Sequence, residues 1–248
     1  MDAFYYARLA EIEKNIYKDI LSRLKNYRNI LKGKYSIFLR IGKDYTIEEV
    51  GEFVNNAVES VRKDYPEIFY VDFLNYFLIY ENGKYRIDMD TLYDAECIQK
   101  LMQRIISIKN QIKKEIKADT IEKTELNLYE YLRKRVSYKK TGKKEDATII
   151  GCLINRECIC EGVAHTWTYL CRELYIPCIT VFGKTKHLVS GKGGNHAWNM
   201  VQIGKGNKGV KCLDLTYDLN SNEREYFNLS SKIFSIDHIP DIVLPSCG

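Results

Sequence analysis

With 248 residues, 45% of them hydrophobic and 29% charged, the chain has enough apolar material to bury its own core without help from disulfides or a metal. The net charge of +5 comes from a basic excess spread in short runs such as Lys113-Lys114, Lys139-Lys140 and Lys143-Lys144. Such runs read as solvated faces, not as the aromatic-interleaved stripe of a nucleic-acid protein. No stretch approaches the ~20 apolar residues that span a bilayer, and the N-terminus has no apolar leader core, so a cytoplasmic address without membrane partner is expected.

The first third has helical periodicity. Leu9, Ile12, Ile16, Ile20 and Leu24 share one face. Thr46, with Glu48 and Glu49 behind it, suits the start of a second helix through Val50, Phe53, Val54, Ala57, Val58 and Val61, which Pro66 ends. Residues 68–71 and 76–80, a turn at 81–84 and residues 85–88 predict a strand pair. A long helix follows over about 94–118, with Ile98, Leu101, Ile105, Ile108 and Ile112 on one face.

Another helix is predicted over 124–136, followed by a Lys-rich polar loop at 139–145. Cys160 stands just before a helix that runs to about residue 174. Then come a strand at 177–183, a Gly/Lys-rich loop at 190–194, a strand from His196 to Val201, a turn at 204–209 and a strand at 210–216 that contains Asp214. Helices first, then one helix feeding an antiparallel meander, is an α+β pattern. The expected division is a mostly helical N-terminal extension with a short strand pair over 1–118, and a catalytic core over 119–248.

Nucleophilic acyl transfer by Cys needs a thiol near a helix N-terminus, a His to exchange its proton, and a third group to orient that His. Cys160, His196 and Asp214 offer that set, because neighbouring antiparallel strands would bring the Asp beside the His. The strings around them are more specific. Cys160-Glu161-Gly162-Val163-Ala164, Ile176-Pro177-Cys178, Asn195-His196-Ala197-Trp198-Asn199-Met200-Val201 and Leu213-Asp214-Leu215-Thr216-Tyr217-Asp218 resemble the segments bearing nucleophile, base and orienting acid in the transglutaminase-like superfamily. The resemblance covers about residues 120–240. Tyr226-Phe227-Asn228-Leu229-Ser230 and His238 look like the stretch that follows in bacterial members, and Asp64-Tyr65-Pro66-Glu67-Ile68-Phe69-Tyr70 is similar to a helical extension in bacterial relatives. Val163 departs from the pattern, where an aromatic is common.

The resemblance implies a papain-like core, a nucleophile-bearing helix packed on an antiparallel sheet. It implies amide or peptide chemistry through a Cys160 thioester on a protein or peptide substrate, with no cofactor and no metal. Hydrolysis by a cysteine peptidase or amidase is favoured, since small bacterial members lack the extra domains of animal cross-linking enzymes. The alternatives are a protein-glutamine acyltransferase and a non-catalytic binding module that keeps the fold.

Other side chains compete for these parts. The eight Cys lie mostly in apolar stretches, so mostly reduced thiols are expected. Cys158 is a minor rival nucleophile, and a Cys158–Cys160 bond would mark a redox protein. Zinc on Cys158, Cys160 and His165, or on Cys152 with the Cys pair, matches no common spacing. Asp218 is an alternative orienting acid, His165 a helix-face residue, His187 a loop residue, and His238 suits a structural part. Trp198 fits core packing that supports the His, Asn199 strand support, and Tyr138 a second oxyanion donor beside the Cys160 backbone N–H.

Overall fold

A computed structural model describes residues 3–30, 33–42, 45–186, 193–219, 221, 223–245 and 248. The chain forms two compact units, Ala3–Gln103 and Arg104–Gly248. The division falls within one long helix, so the first unit stops short of the helix's end at Ile116.

In the N-terminal unit, α1 (Glu11–Leu24) buries Ile16, Ile20 and Leu24, and α2 (Ile47–Asp64) buries Val50, Val54, Ala57, Val58 and Val61. A capping box starts α2: the Glu49 N–H donates to Thr46 Oγ1 (3.2 Å) and the Thr46 N–H donates to Glu49 Oε2 (2.8 Å). The expected strand pair is part of a three-stranded antiparallel sheet, β1 (Lys34–Leu39), β2 (Val71–Glu81) and β3 (Lys84–Thr91), in the order β1-β3-β2. The extra strand, β1, alternates buried Tyr35, Ile37 and Leu39 with exposed Lys34, Ser36 and Phe38. Residues 68–70, expected to be extended, precede β2, with a turn at 69–70. The hairpin turn is as expected, with Asn82 (φ 52°) and Gly83 (φ 74°) both left-handed.

The helix α3 (Ala95–Ile116) leads into the C-terminal unit, where α4 (Ile121–Arg133) buries Leu128, Tyr129 and Leu132. Two short parallel strands, β4 (Ser137–Tyr138) and β5 (Glu157–Cys158), precede α5 (Cys160–Glu173). The sheet that follows contains β6 (Cys178–Thr185), β7 (Gly194–Gln202), β8 (Val210–Leu213) and β9 (His238–Pro240), antiparallel in the order β8-β7-β6-β9. From Gly162 to Cys171 every residue of α5 is buried, as befits a central helix. Asn199 of β7 ties that helix to the sheet by donating to the Ala164 carbonyl and to Thr168 Oγ1, both at 3.0 Å. The unit is therefore the expected helix packed on an antiparallel sheet.

A further expectation needs correction. The strand at 210–216 ends at Leu213, because the Asp214 side chain accepts the Thr216 N–H (2.9 Å) and caps the short helix α6 (Leu215–Asp218). Most of the described thiols are reduced, as expected, while Cys152 and Cys158 form a disulfide, their Cα atoms 5.4 Å apart. A π-helical turn (Gly151–Asn155) and the left-handed Arg156 (φ 60°) fold the chain back to bring them together. Cys97, Cys160, Cys171, Cys178 and Cys212 are not disulfide-bonded, and Cys247 lies outside the described residues. Among the described residues, no helix is long and apolar enough to cross a membrane.

Candidate active site

Cys160 is the first residue of α5. Its N-cap, Ile159, offers the helix no side-chain partner, so the positive end of a 14-residue helix stands at the sulfur. The thiol is half-buried and free. Gly162 makes this placement possible, since a Cβ there would lie 2.4 Å from the Asp146 carbonyl oxygen and 3.0 Å from Cys158 Cβ. The same carbonyl accepts the Ile159 N–H at 3.0 Å. The Asp146 carboxylate accepts the Thr141 N–H (2.6 Å), the Thr141 hydroxyl (2.7 Å) and the Gly142 N–H (3.0 Å). The Lys-rich loop is thereby fixed to the segment that delivers the cysteine.

His196 sits on β7, opposite Gly183 of β6, and only 4% of it is exposed. Its Nε2 is 2.5 Å from Asp214 Oδ2, which leaves Nδ1 to face elsewhere. Cys160 lies near enough to the same imidazole to favour its charged form. Burial opposes a charge on the ring, but the Asp214 carboxylate and Cys160 outweigh it and raise the His196 pKa. For Asp214, burial alone would raise the pKa, yet the imidazoles of His196 and His238 hold it below the ordinary carboxylate range. Both directions describe an imidazolium held by a carboxylate.

The walls of the site are aromatic. Trp198 stacks beside His196 (centroids 6.2 Å apart, 26° between planes), and Tyr217 lies 5.2 Å from the same ring. Trp198 is buried, consistent with packing that supports the histidine. Tyr138 is half-buried, and β4 sets it opposite Cys158. Burial and the nearby Cys160 raise its phenol pKa.

Several competing readings do not assemble. Cys158 is bonded to Cys152, so it is neither a free nucleophile nor a partner for Cys160. His165 packs against Phe182 (5.8 Å). Asp218 accepts the Tyr129 hydroxyl and the N–H groups of Glu225 (3.2 Å) and Tyr226 (3.1 Å), so it anchors a turn instead of orienting His196. His187 and most of the Gly-rich loop lie outside the described residues. What the sequence reading undervalued is His238, whose Nε2 lies 3.0 Å from the same Asp214 Oδ2. His196, Asp214 and His238 have ligand atoms within 4.8 Å of one another, and in this arrangement they form a hydrogen-bonded chain around one carboxylate.

Residues 106–209 match the family model of the transglutaminase-like superfamily. The match falls on the helix-and-sheet core of the C-terminal unit, from α4 through β7. The matched stretch of that core holds Tyr138, Cys160, His196 and Trp198 and ends before Asp214, whose place rests on its hydrogen bond to His196. Two solved structures are similar to the chain. One is a TGase, at 16% identity and a TM-score of 0.39, covering 64% of this chain and 48% of that one. The other is a proposed cysteine protease from Cytophaga hutchinsonii, at 18% identity and a TM-score of 0.39, covering 57% of this chain and 61% of that one. The chain thus spans about half of the first structure's length and three fifths of the second's. No curated protein matches the chain.

Proposed function

We propose that the protein performs thiol-dependent chemistry on amide or peptide bonds, as a cysteine peptidase or amidase acting through a Cys160 thioester. The observation that carries this reading is the buried imidazole of His196, hydrogen-bonded to Asp214, with the thiol at the head of α5 near enough to favour its charge. The thiolate attacks the carbonyl carbon, and the oxygen takes up the displaced electron pair. The Cys160 backbone N–H and the Tyr138 hydroxyl are the donors suited to that oxyanion. Collapse expels the amine, which leaves with the proton from His196. Water then gives a proton to His196 and attacks the thioester, releasing the acid and restoring the thiolate beside the protonated ring. Asp214 holds the ring in the tautomer and orientation that both transfers need.

The test is iodoacetamide labelling mapped residue by residue, in wild type and His196→Ala. The reading expects Cys160 to label far faster than Cys97 at pH 6 to 7 and to lose that lead without His196. Equal rates for the two thiols in wild type would sink it. Incubation with a peptide mixture and a primary amine then separates the acceptors: new termini indicate hydrolysis, and the amine joined to Gln side chains indicates transfer.

A further inference from the structure

One buried histidine has no part in that mechanism. His238 lies on β9, whose register against β6 is Thr185↔His238, Lys184↔Ile239 and Gly183↔Pro240. Gly183 lets this short strand close in, because a Cβ there would meet the Ile239 carbonyl oxygen at 2.2 Å and Trp198 Cη2 at 2.6 Å. The His238 side chain is fully buried. Its ring lies face to face with Phe234 (3.9 Å, 29°), edge-on to Trp198 (5.0 Å, 76°) and beside Tyr217 (5.5 Å). Packing therefore fixes its orientation.

Both of its nitrogens face carboxylates. Nε2 is 3.0 Å from Asp214 Oδ2, and Nδ1 is 2.6 Å from Asp237 Oδ1. Carboxylates accept, and a ring that donates to both carries both protons, the form that two flanking carboxylates favour. Asp237 is itself held, since its Oδ2 accepts the Tyr226 hydroxyl at 2.7 Å. The Tyr226 main-chain carbonyl in turn accepts the Asp214 N–H at 2.9 Å. The groups facing His238 are thus Asp214 and Asp237, the phenols of Tyr217 and Tyr226, and the imidazole of His196 with Cys160 beyond it. Across β6 stands the neutral Thr185, whose hydroxyl oxygen accepts the Tyr217 hydroxyl (3.0 Å).

Resting on the proposed function, we infer that His238 is a positioning residue for the thiol site, a second cationic ring that shares the Asp214 carboxylate and limits how tightly it holds the proton of His196. Both rings bond the same oxygen, Oδ2, while Oδ1 accepts the Thr216 N–H. Two cations on one acceptor oxygen divide its charge. Their centroids are 5.8 Å apart, close enough to repel through the interior. A ring needed only for packing would want neither carboxylate.

The experiment is the pH dependence of iodoacetamide labelling of Cys160 in wild type, His238→Gln and Asp237→Asn, with near-UV circular dichroism as the check on fold. The alkaline inflection of that profile reports the loss of the His196 proton. His238→Gln keeps a donor for Asp214 but removes the charge. It should move the inflection to higher pH by about half a unit to about two units, the upper figure being the unscreened repulsion at this separation with an effective dielectric of about 20. Asp237→Asn, at a more exposed position, keeps the ring but removes the carboxylate that favours its charge, and should move the inflection the same way by less. Should the Gln variant fail to fold, the Asn variant decides. Folded variants that lose thermal stability but leave the inflection unmoved would show a merely structural histidine and overturn this inference alone. Wild-type Cys160 labelling no faster than Cys97 would overturn the proposed chemistry and this inference with it.

Discussion

Replacing Asp214 by Asn keeps the shape of the side chain and removes its charge. The Oδ2–Nε2 separation is 2.5 Å. At that distance, with an effective dielectric near 20, a full charge pair is worth about 7 kcal/mol before desolvation is counted. In the variant, burial acts on His196 with no carboxylate to oppose it, so its pKa should fall to or below the ordinary value of about 6.5. Cys160 then loses its imidazolium. An ordinary thiol with pKa about 8.5 holds about one thiolate in 300 at pH 6, and an imidazolium beside a thiol raises that fraction. Paired thiolates are weaker nucleophiles, which trims the difference to about 30–100-fold in labelling rate. The assay is iodoacetamide labelling of Cys160 at pH 6, read by peptide mapping, on variant protein with native near-UV circular dichroism. A folded Asp214→Asn that labels within about threefold of wild type would refute the reasoning.

Glu125 is fully buried on α4, where burial raises its pKa to about 7 against the opposing hydrogen bond from Asn228 (2.7 Å). A raised folded-state pKa favours the fold while the group stays protonated, and that contribution is lost as pH rises from about 4.5 through about 7. Glu125→Gln should therefore be more stable than wild type at pH 8, by up to about 3 kcal/mol, and little different at pH 4.5. Urea denaturation at the two pH values measures this, and equal stability at pH 8 would count against it. For the His196–Asp214 pair, the raised imidazole contributes fully below about pH 6.5 and fades as pH rises through its folded value. The lowered carboxylate contributes above about pH 4 and fades as pH falls, so the pair stabilises most between those limits. Gly162→Ala would drive a Cβ to 2.4 Å from the Asp146 carbonyl oxygen, so it should cost about 1–3 kcal/mol and also slow Cys160 labelling; a thermal melt and the same labelling assay check both. Tyr138→Phe should lower turnover of a cleavable peptide by about tenfold or more, with Cys160 labelling unchanged, and unaltered turnover would remove Tyr138 from the oxyanion site.

Most of the site was legible because its residues sit in contiguous strings with strong local signals. Cys160 begins a helix whose next ten residues are nearly all apolar or small, and His196 opens a buried strand. Both facts are readable from neighbours one to four positions away. Asp214 was assigned to a strand for the same reason, since Val210 to Leu213 continues into Leu215. The competing force was local: its own side chain accepts the Thr216 N–H and starts a helical turn, an Asx-type cap that apolar periodicity does not record. β1 was missed although its alternation is clean. Its six residues carry only three buried side chains, so the signal was brief. His238 and the Cys152–Cys158 pair belong to another class. Each depends on where a chain reversal ends, at β9 and at the left-handed Arg156, and no periodicity reports that.

The disulfide places an opposing demand on any solution in which the protein works. A thiol nucleophile is kept alive by reductant, and reductant opens Cys152–Cys158. That bond spans a separation of only six residues and ends two positions before Cys160. Closing so short a loop constrains the unfolded chain by about 2 kcal/mol, and opening it frees the segment that sets Cys160 at the head of its helix. Preparations stored with and without dithiothreitol therefore differ in the segment that leads into Cys160. A measured rate has meaning only alongside the oxidation state of the pair.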